Sequence, residues 1–207
     1  MLITFEGGEG SGKSTLIEKL YRELTERGHQ VVKTREPGGT GLGEFIRDII
    51  INPHSLIQFG DSAELMMMLA ARVQHIEEVI QPALSVGKIV LCDRFNDSSV
   101  AYQGGGRQLG IEKVQALCGQ VCGQPTPTIT FFLDIDPATS MERIVRLKDR
   151  FEDEDLAFHQ RVRQAYHDLA REHPQRFFLI DAAQTEDEVF SEALAVVNLF
   201  SPPKEAQ

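Results

Sequence analysis

Eight residues near the start of the chain, Gly7-Gly8-Glu9-Gly10-Ser11-Gly12-Lys13-Ser14, fit the pattern G-x-x-x-x-G-K-[S/T]. That pattern constrains the fold, because it works only where a strand hands over to a helix. The flanks supply that context. Leu2 to Phe5 is a short apolar run of β-favouring residues, and from Ser14 to Arg27 the leucines Leu16, Leu20 and Leu24 recur at helical spacing until Gly28 stops the helix. Glycines let backbone N–H groups turn towards phosphate oxygens, and the helix N-terminus adds the positive end of its dipole. Lys13 contributes a mobile charge and the Ser14 hydroxyl suits Mg²⁺. Gly7, Gly8, Glu9, Gly10, Ser11, Gly12, Lys13, Ser14 and the adjoining Thr15 are therefore candidates to bind a nucleoside triphosphate.

The rest of the chain repeats the strand and helix alternation. Val31 and Val32 mark a second strand, followed by the glycine-rich loop Glu36 to Gly43 and a short helix around Phe45 to Ile50. A longer helix begins near Ser62 with the stripe Leu65, Leu69, Val73, Ile76 and Ile80, and Gly87 separates it from a third strand that ends at Asp93. The segment Asn96 to Gly110 reads as a polar, glycine-rich passage before another helix. Thr128 to Leu133 and Phe177 to Ile180 are the fourth and fifth strands. Asp136-Pro137 marks a helix start, Phe158, Val162, Ala165 and Leu169 share one helix face, and Thr185 with Glu188 forms a capping box. Five short strands alternating with helices predict an α/β chain: a three-layer P-loop NTPase fold with a five-stranded parallel sheet flanked by helices. No internal repeat or long linker divides it, so residues 1–200 read as one domain, with 201–207 as a frayed tail. Ligands are expected at the carboxyl ends of the strands.

Composition narrows the function. The net charge of −10 disfavours non-specific nucleic-acid or membrane-surface binding, so anionic ligands must meet local basic clusters. The chain lacks an apolar run of membrane-spanning length and a signal-peptide core, which points to a soluble, cytoplasmic protein. Three cysteines without paired metal-ligand spacing agree with a reduced compartment. Neither an Asp-x-x-Gly switch nor an Asn-Lys-x-Asp guanine reader of a GTPase is present, and motor or transporter ATPases are usually larger. A small kinase, whose loop carries the donor while the rest of the cleft binds an acceptor, remains.

Behind the phosphate loop come Thr34-Arg35-Glu36-Pro37-Gly38-Gly39-Thr40, Ala71-Arg72-Val73, Asp93-Arg94 and Ala101-Tyr102-Gln103-Gly104-Gly105-Gly106-Arg107. In that order they resemble bacterial thymidylate kinases, and the resemblance extends from Leu2 to about Phe200. It implies transfer of the γ-phosphoryl of ATP to dTMP, with Mg²⁺, in a homodimer. The acceptor is itself a phosphate monoester and largely dianionic, so catalysis rests on positioning and on spreading charge rather than on a general base. Two rivals remain at this point: a kinase acting on another pyrimidine monophosphate, such as dUMP or a modified nucleotide, and a regulatory module that binds ATP without turnover.

The resemblance also implies roles. Lys13 holds the donor's β and γ phosphates, while Arg94 and Arg47 face the acceptor phosphate. Glu9 accepts a hydrogen bond from the acceptor's 3′-hydroxyl, and Glu36 belongs to the acceptor site. Arg72 donates to thymine O4, with Ser99 and Gln103 near the N3 edge and Tyr102 against the sugar. Asp93 and Ser14 serve the metal. The loop has no basic residue at its variable positions, so the charges needed for transfer are expected from a lid at about 146–155, with Arg146 and Arg150 as candidates, and Arg143 is expected beside adenine. In place of the phenylalanine that many relatives stack on thymine stands Met68, whose polarizable sulfur can cover an aromatic face. Met66 and Met67 read as core filling.

Overall fold

The computed structural model describes residues 1–52, 57–143 and 150–200. Strands β1 (Leu2–Glu6), β2 (Val31–Arg35), β3 (Ile89–Asp93), β4 (Ile129–Asp134) and β5 (Phe177–Asp181) form a single sheet in the order β2-β3-β1-β4-β5. Every pairing is parallel, with Ile3 opposite both Leu91 and Ile129. The parallel sheet expected from the buried apolar strands is therefore present.

Alternation along the strands divides the core in two. Ile3, Phe5, Leu91, Phe131 and Leu133 point to one face, where α1 (Lys13–Glu26) and α9 (Glu186–Phe200) cover them with Leu16, Leu20, Val189 and Ala193. Leu2, Val90, Cys92 and Phe132 point to the other face. There they meet α3 (Asp61–His75), α6 (Ile111–Cys122) and α8 (Leu156–Glu172). Each fully buried Leu or Phe contributes about 1.5–3 kcal/mol, so two filled layers suffice to hold the sheet without disulfides, and all three cysteines are free thiols. The helix α2 (Gly41–Ile51) packs on α3 and is capped by Thr40, whose Oγ1 accepts from Gly43 N at 3.0 Å.

Two segments depart from the sequence expectation. The stripe from Leu65 to Ile80 is not one uniform α-helix: after α3 the backbone widens into a π-helical turn, Ile76–Ile80, before α4 (Gln81–Ser85). The passage Asn96 to Gly110 is not a loop but mostly helical, as α5 (Asn96–Ser99) followed by the π-helical segment Val100–Gly106. Its glycines serve close packing rather than turning. A Cβ on Gly105 would lie 2.8 Å from that of Ala165, and one on Gly106 would lie 2.6 Å from the Phe158 ring, so only glycine lets this segment seat against α8. Asp136 caps α7 (Pro137–Glu142), and Thr185 and Glu188 exchange the hydrogen bonds of the expected capping box. Among the described residues no helix is long and apolar enough to cross a membrane.

The strand order places the site. β1 lies at the centre, with β3 on one side and β4 on the other, and the chain leaves β1 directly into the glycine loop. Crevices in such sheets open at the carboxyl ends of strands where connections diverge.

Candidate active site

The loop between β1 and α1 is fixed by close contact. Gly7 has φ +136° and a Cβ there would meet the Leu133 carbonyl oxygen at 2.6 Å; Gly10, at φ +73°, would meet that of Ser140 at the same distance. Lys13 folds back so that Nζ donates to Gly8 O at 2.7 Å and to Gly7 O at 3.3 Å. Burial lowers the pKa of this ammonium, with the charge of Arg94 acting in the same direction. An anion arriving at the loop restores what burial takes away.

Two cavities meet here. One, of about 510 Å³, is lined by the loop from Glu9 through Thr15, by Asp93 and Arg143, and by Ala182 and Gln184 after β5. Arg143 is anchored there by Nη1 donating to Ala182 O at 3.1 Å. The other, of about 250 Å³, is lined by Glu9, Glu36, Arg47, Met68, Arg72, Arg94, Ser99, Tyr102 and Gln103. All nine residues expected around an acceptor nucleotide are thus brought together from α2, α3, α5, the π-helical segment Val100–Gly106 and the loops that follow β1, β2 and β3. Glu9, Ser14 and Asp93 line both cavities.

The basic residues of the smaller cavity are held in distinct ways. Arg94 sits just past β3 with φ +70°, a conformation uncommon outside glycine, and its N–H donates to Phe5 O at 3.0 Å. Its Nη2 donates to Glu9 Oε1 at 2.5 Å and to the Tyr102 hydroxyl at 3.1 Å, and the guanidinium lies 4.8 Å from the Tyr102 ring centre. Burial opposes its charge, but Tyr102 and Glu9 hold its pKa well above the ordinary arginine value. Arg47 donates to Pro37 O at 3.0 Å; burial, and then the neighbouring charge of Arg35, lower its pKa. Arg35 also lines this cavity, so Arg35, Arg47 and Arg94 add three guanidinium groups to that of Arg72, a fit for a dianion.

Arg72 is buried and immobilised. Nε donates to Glu36 Oε2 at 2.5 Å, Nη1 to Ser99 Oγ at 2.9 Å and Nη2 to Phe95 O at 3.0 Å. Glu36 is braced from behind by His75 Nδ1 at 2.8 Å. Arg72 also lines the acceptor cavity. Met68 lines the cavity, Met67 packs partly against the core, and Met66 is 48% exposed, so the core-filling expectation fails for Met66.

The lid expectation divides. Arg146, with Lys148 and Asp149, lies outside the described residues. Arg150 stacks its guanidinium 3.9 Å over the Phe59 ring, and its N–H bonds to Ile51 O at 3.2 Å, on the α2 side of the molecule rather than at the loop. The turn that follows is not a solvated charge run: Phe151 and Glu152 are buried, and Phe151 lines the smaller cavity with its ring edge on Tyr102 at 5.6 Å.

Three features were not anticipated. Arg35 stands inside a motif already noted but carried no separate signal, and Phe151 was hidden among charges. Glu6, the last residue of β1, has a fully buried carboxyl that receives Phe95 N at 2.8 Å, Ser98 Oγ at 2.5 Å and the Tyr166 hydroxyl at 2.9 Å. Burial, and secondarily Asp97, raise its pKa to about 8.

A parallel sheet with a glycine loop and lysine at its centre, opening onto two joined anion-binding cavities, defines a P-loop nucleotide kinase. A family model described as thymidylate kinase matches residues 5–193. A thymidylate kinase of Protochlamydia amoebophila is 49% identical over 201 residues, covering 93% of this chain and 89% of that protein. One from Deinococcus radiodurans is 44% identical over 200 residues, covering 96% of each. The crystal structure of thymidylate kinase from Ehrlichia chaffeensis superposes with a TM-score of 0.77 at 34% identity, covering 95% of this chain and 98% of that one. The chain belongs to the thymidylate kinase family.

Proposed function

We propose that the chain transfers the γ-phosphoryl group of ATP to dTMP, giving dTDP and ADP for dTTP synthesis. The observation that carries the reading is the shared wall of Glu9, Ser14 and Asp93 between the two cavities, which lets two nucleotides approach phosphate to phosphate. The larger cavity takes ATP, with its phosphates on the loop N–H groups and Lys13 and its adenine towards Arg143. The smaller cavity takes dTMP. Arg94 and Arg47 hold its phosphate, Glu9 meets its 3′-hydroxyl, and Tyr102 lies against the sugar.

Arg72 donates to thymine O4, braced by Glu36, while Ser99 and Gln103 face the N3 edge and Met68 covers the ring. A donor fixed at O4 rejects cytosine, whose amino group also donates. The acceptor phosphate is its own nucleophile, so these side chains align it, neutralise the repulsion between two anions and exclude water. Of the two lid candidates, Arg146 is the one assigned to complete the charge around the transferred group, since Arg150 is engaged on Phe59.

Mg²⁺ fits beside Ser14 and Asp93. Asp93 Oδ1 is buried and accepts no hydrogen bond among the described residues, an acceptor that calls for a cation or its bound water. Held by Ser14 and Asp93, such an ion would supply Lewis-acid stabilisation of the charge on the donor phosphates. The family likeness supports a cytoplasmic homodimer, and the overall charge of −10 supports nucleotides rather than nucleic acid as partners.

The test is coupled ADP release from MgATP across dTMP, dUMP, CMP, UMP and AMP. The reading expects dTMP to have the highest kcat/KM. A preference for CMP, UMP or AMP overturns the acceptor, and ATP binding without turnover of any monophosphate overturns the kinase assignment.

A further inference from the structure

Gln103 lines the acceptor cavity, as Arg72 and Met68 do, although it is almost wholly buried. Its amide has a donor end and an acceptor end, and a ring nitrogen of a bound base meets whichever end faces it. The opposite end decides which that is. Gln103 Nε2 donates to Glu64 Oε1 at 2.9 Å. Glu64 is 1% exposed, and both of its oxygens are held by one guanidinium: Arg107 Nε reaches Oε1 at 3.3 Å and Nη2 reaches Oε2 at 3.2 Å.

A carboxylate gripped in this way offers only lone pairs. Turning the Gln103 amide over would set its carbonyl oxygen against Glu64 Oε1, acceptor against acceptor, and would bury that carbonyl without a donor. Arg107 is itself tied to Glu154 through Nη1 and lies 3.5 Å from Asp61 Oδ1. The clamp therefore spans the start of α3, the end of the π-helical segment and the turn before α8, and Glu64 cannot drift away from Gln103.

We propose that Glu64, locked by Arg107, is a specificity-determining positioning residue. It holds the Gln103 carbonyl towards the base, so that the cavity selects a pyrimidine bearing N–H at ring position 3 over one bearing a bare nitrogen there. The inference rests on the dTMP reading above and extends it. Arg72 presents donors to position 4 and Gln103 an acceptor to position 3, and together they complement thymine or uracil and mismatch cytosine at both places.

The experiment compares the dissociation constants of dTMP and 5-methyl-dCMP by displacement calorimetry. These nucleotides share phosphate, sugar and ring methyl and differ at positions 3 and 4 only. In Glu64→Gln the side chain opposite Gln103 presents either a donor or an acceptor, so both amide orientations become available. The preference for dTMP is expected to fall about ten- to a hundredfold, with the KM for ATP unchanged. The exchange variant Glu64→Gln/Gln103→Glu carries the same atoms and net charge and moves the fixed acceptor to the cavity side. It is expected to keep the preference within about threefold of the parent, and it reads out the inference even if the single variant does not fold. An unchanged preference in Glu64→Gln, or a lost one in the exchange variant, overturns the inference. A parent protein that fails to phosphorylate dTMP overturns the functional reading instead.

Discussion

Replacing Glu6 with glutamine gives a stability change whose pH dependence follows from the structure. The carboxyl at the end of β1 is fully buried between Ser98 and Tyr166, with Asp97 nearby and the Arg94 charge beyond Ser98, and its pKa stands near 8 instead of the usual 4.5. A carboxyl raised on folding binds its proton more tightly in the native state than in the unfolded one. Its stabilising contribution is therefore complete below about pH 4.5 and is lost as pH rises to about 8, beyond which the full cost of an ionised buried group applies. Over pH 5.5 to 9 this loss amounts to about 3 kcal/mol.

Glutamine has no proton to lose, and titrating groups remote from Glu6 cancel in the comparison. Urea denaturation of both proteins at half-unit steps of pH gives the difference curve directly. The wild type should lose about 3 kcal/mol relative to Glu6→Gln across that window, whatever the offset between the two at low pH. A flat difference curve, or a wild type that gains on the variant as pH rises, refutes the reasoning.

Lys13→Ala should lower kcat by about 10²- to 10³-fold while far-UV circular dichroism stays native, because the ammonium meets charge that develops on the donor phosphates; unchanged kcat in a steady-state assay contradicts its placement. Gly106→Ala should cost about 1–3 kcal/mol, since the new methyl would lie 2.6 Å from the Phe158 ring. Gly119→Ala, on α6 with nothing within 4 Å of the added atom, should instead stabilise by about 0.5–1 kcal/mol. Thermal melts of the two variants separate close packing from helix propensity, and a stabilised Gly106→Ala would refute the packing account.

The sheet was legible because four of its strands are short and apolar, with Val31 and Val32 marking β2, and because the glycine loop marks the passage from β1 to α1. The acceptor site was legible through motifs: Glu36, Arg72, Arg94, Tyr102 and Gln103 lie far apart in sequence yet line one cavity. What escaped depended on partners distant along the chain. Gly104 to Gly106 look like loop residues until α8 is placed against them, and Glu6 looks like a strand end until Tyr166, 160 residues later, bonds to it. Phe151 sits in a charged run whose local pattern points to solvent, and its burial comes from partners distant along the chain, the Tyr102 ring and the Arg107 guanidinium. Among three consecutive methionines, helical spacing alone did not tell exposed Met66 from cavity-lining Met68.

The most direct test of the two-cavity account is a crystal structure with dTMP and a non-hydrolysable ATP analogue bound together. The account predicts the dTMP phosphate between Arg94 and Arg47, thymine against Arg72 and Gln103, and the analogue's terminal phosphate facing it across Glu9 and Ser14. Thymine bound outside this cavity, or a dTMP phosphate turned away from the loop, would contradict it.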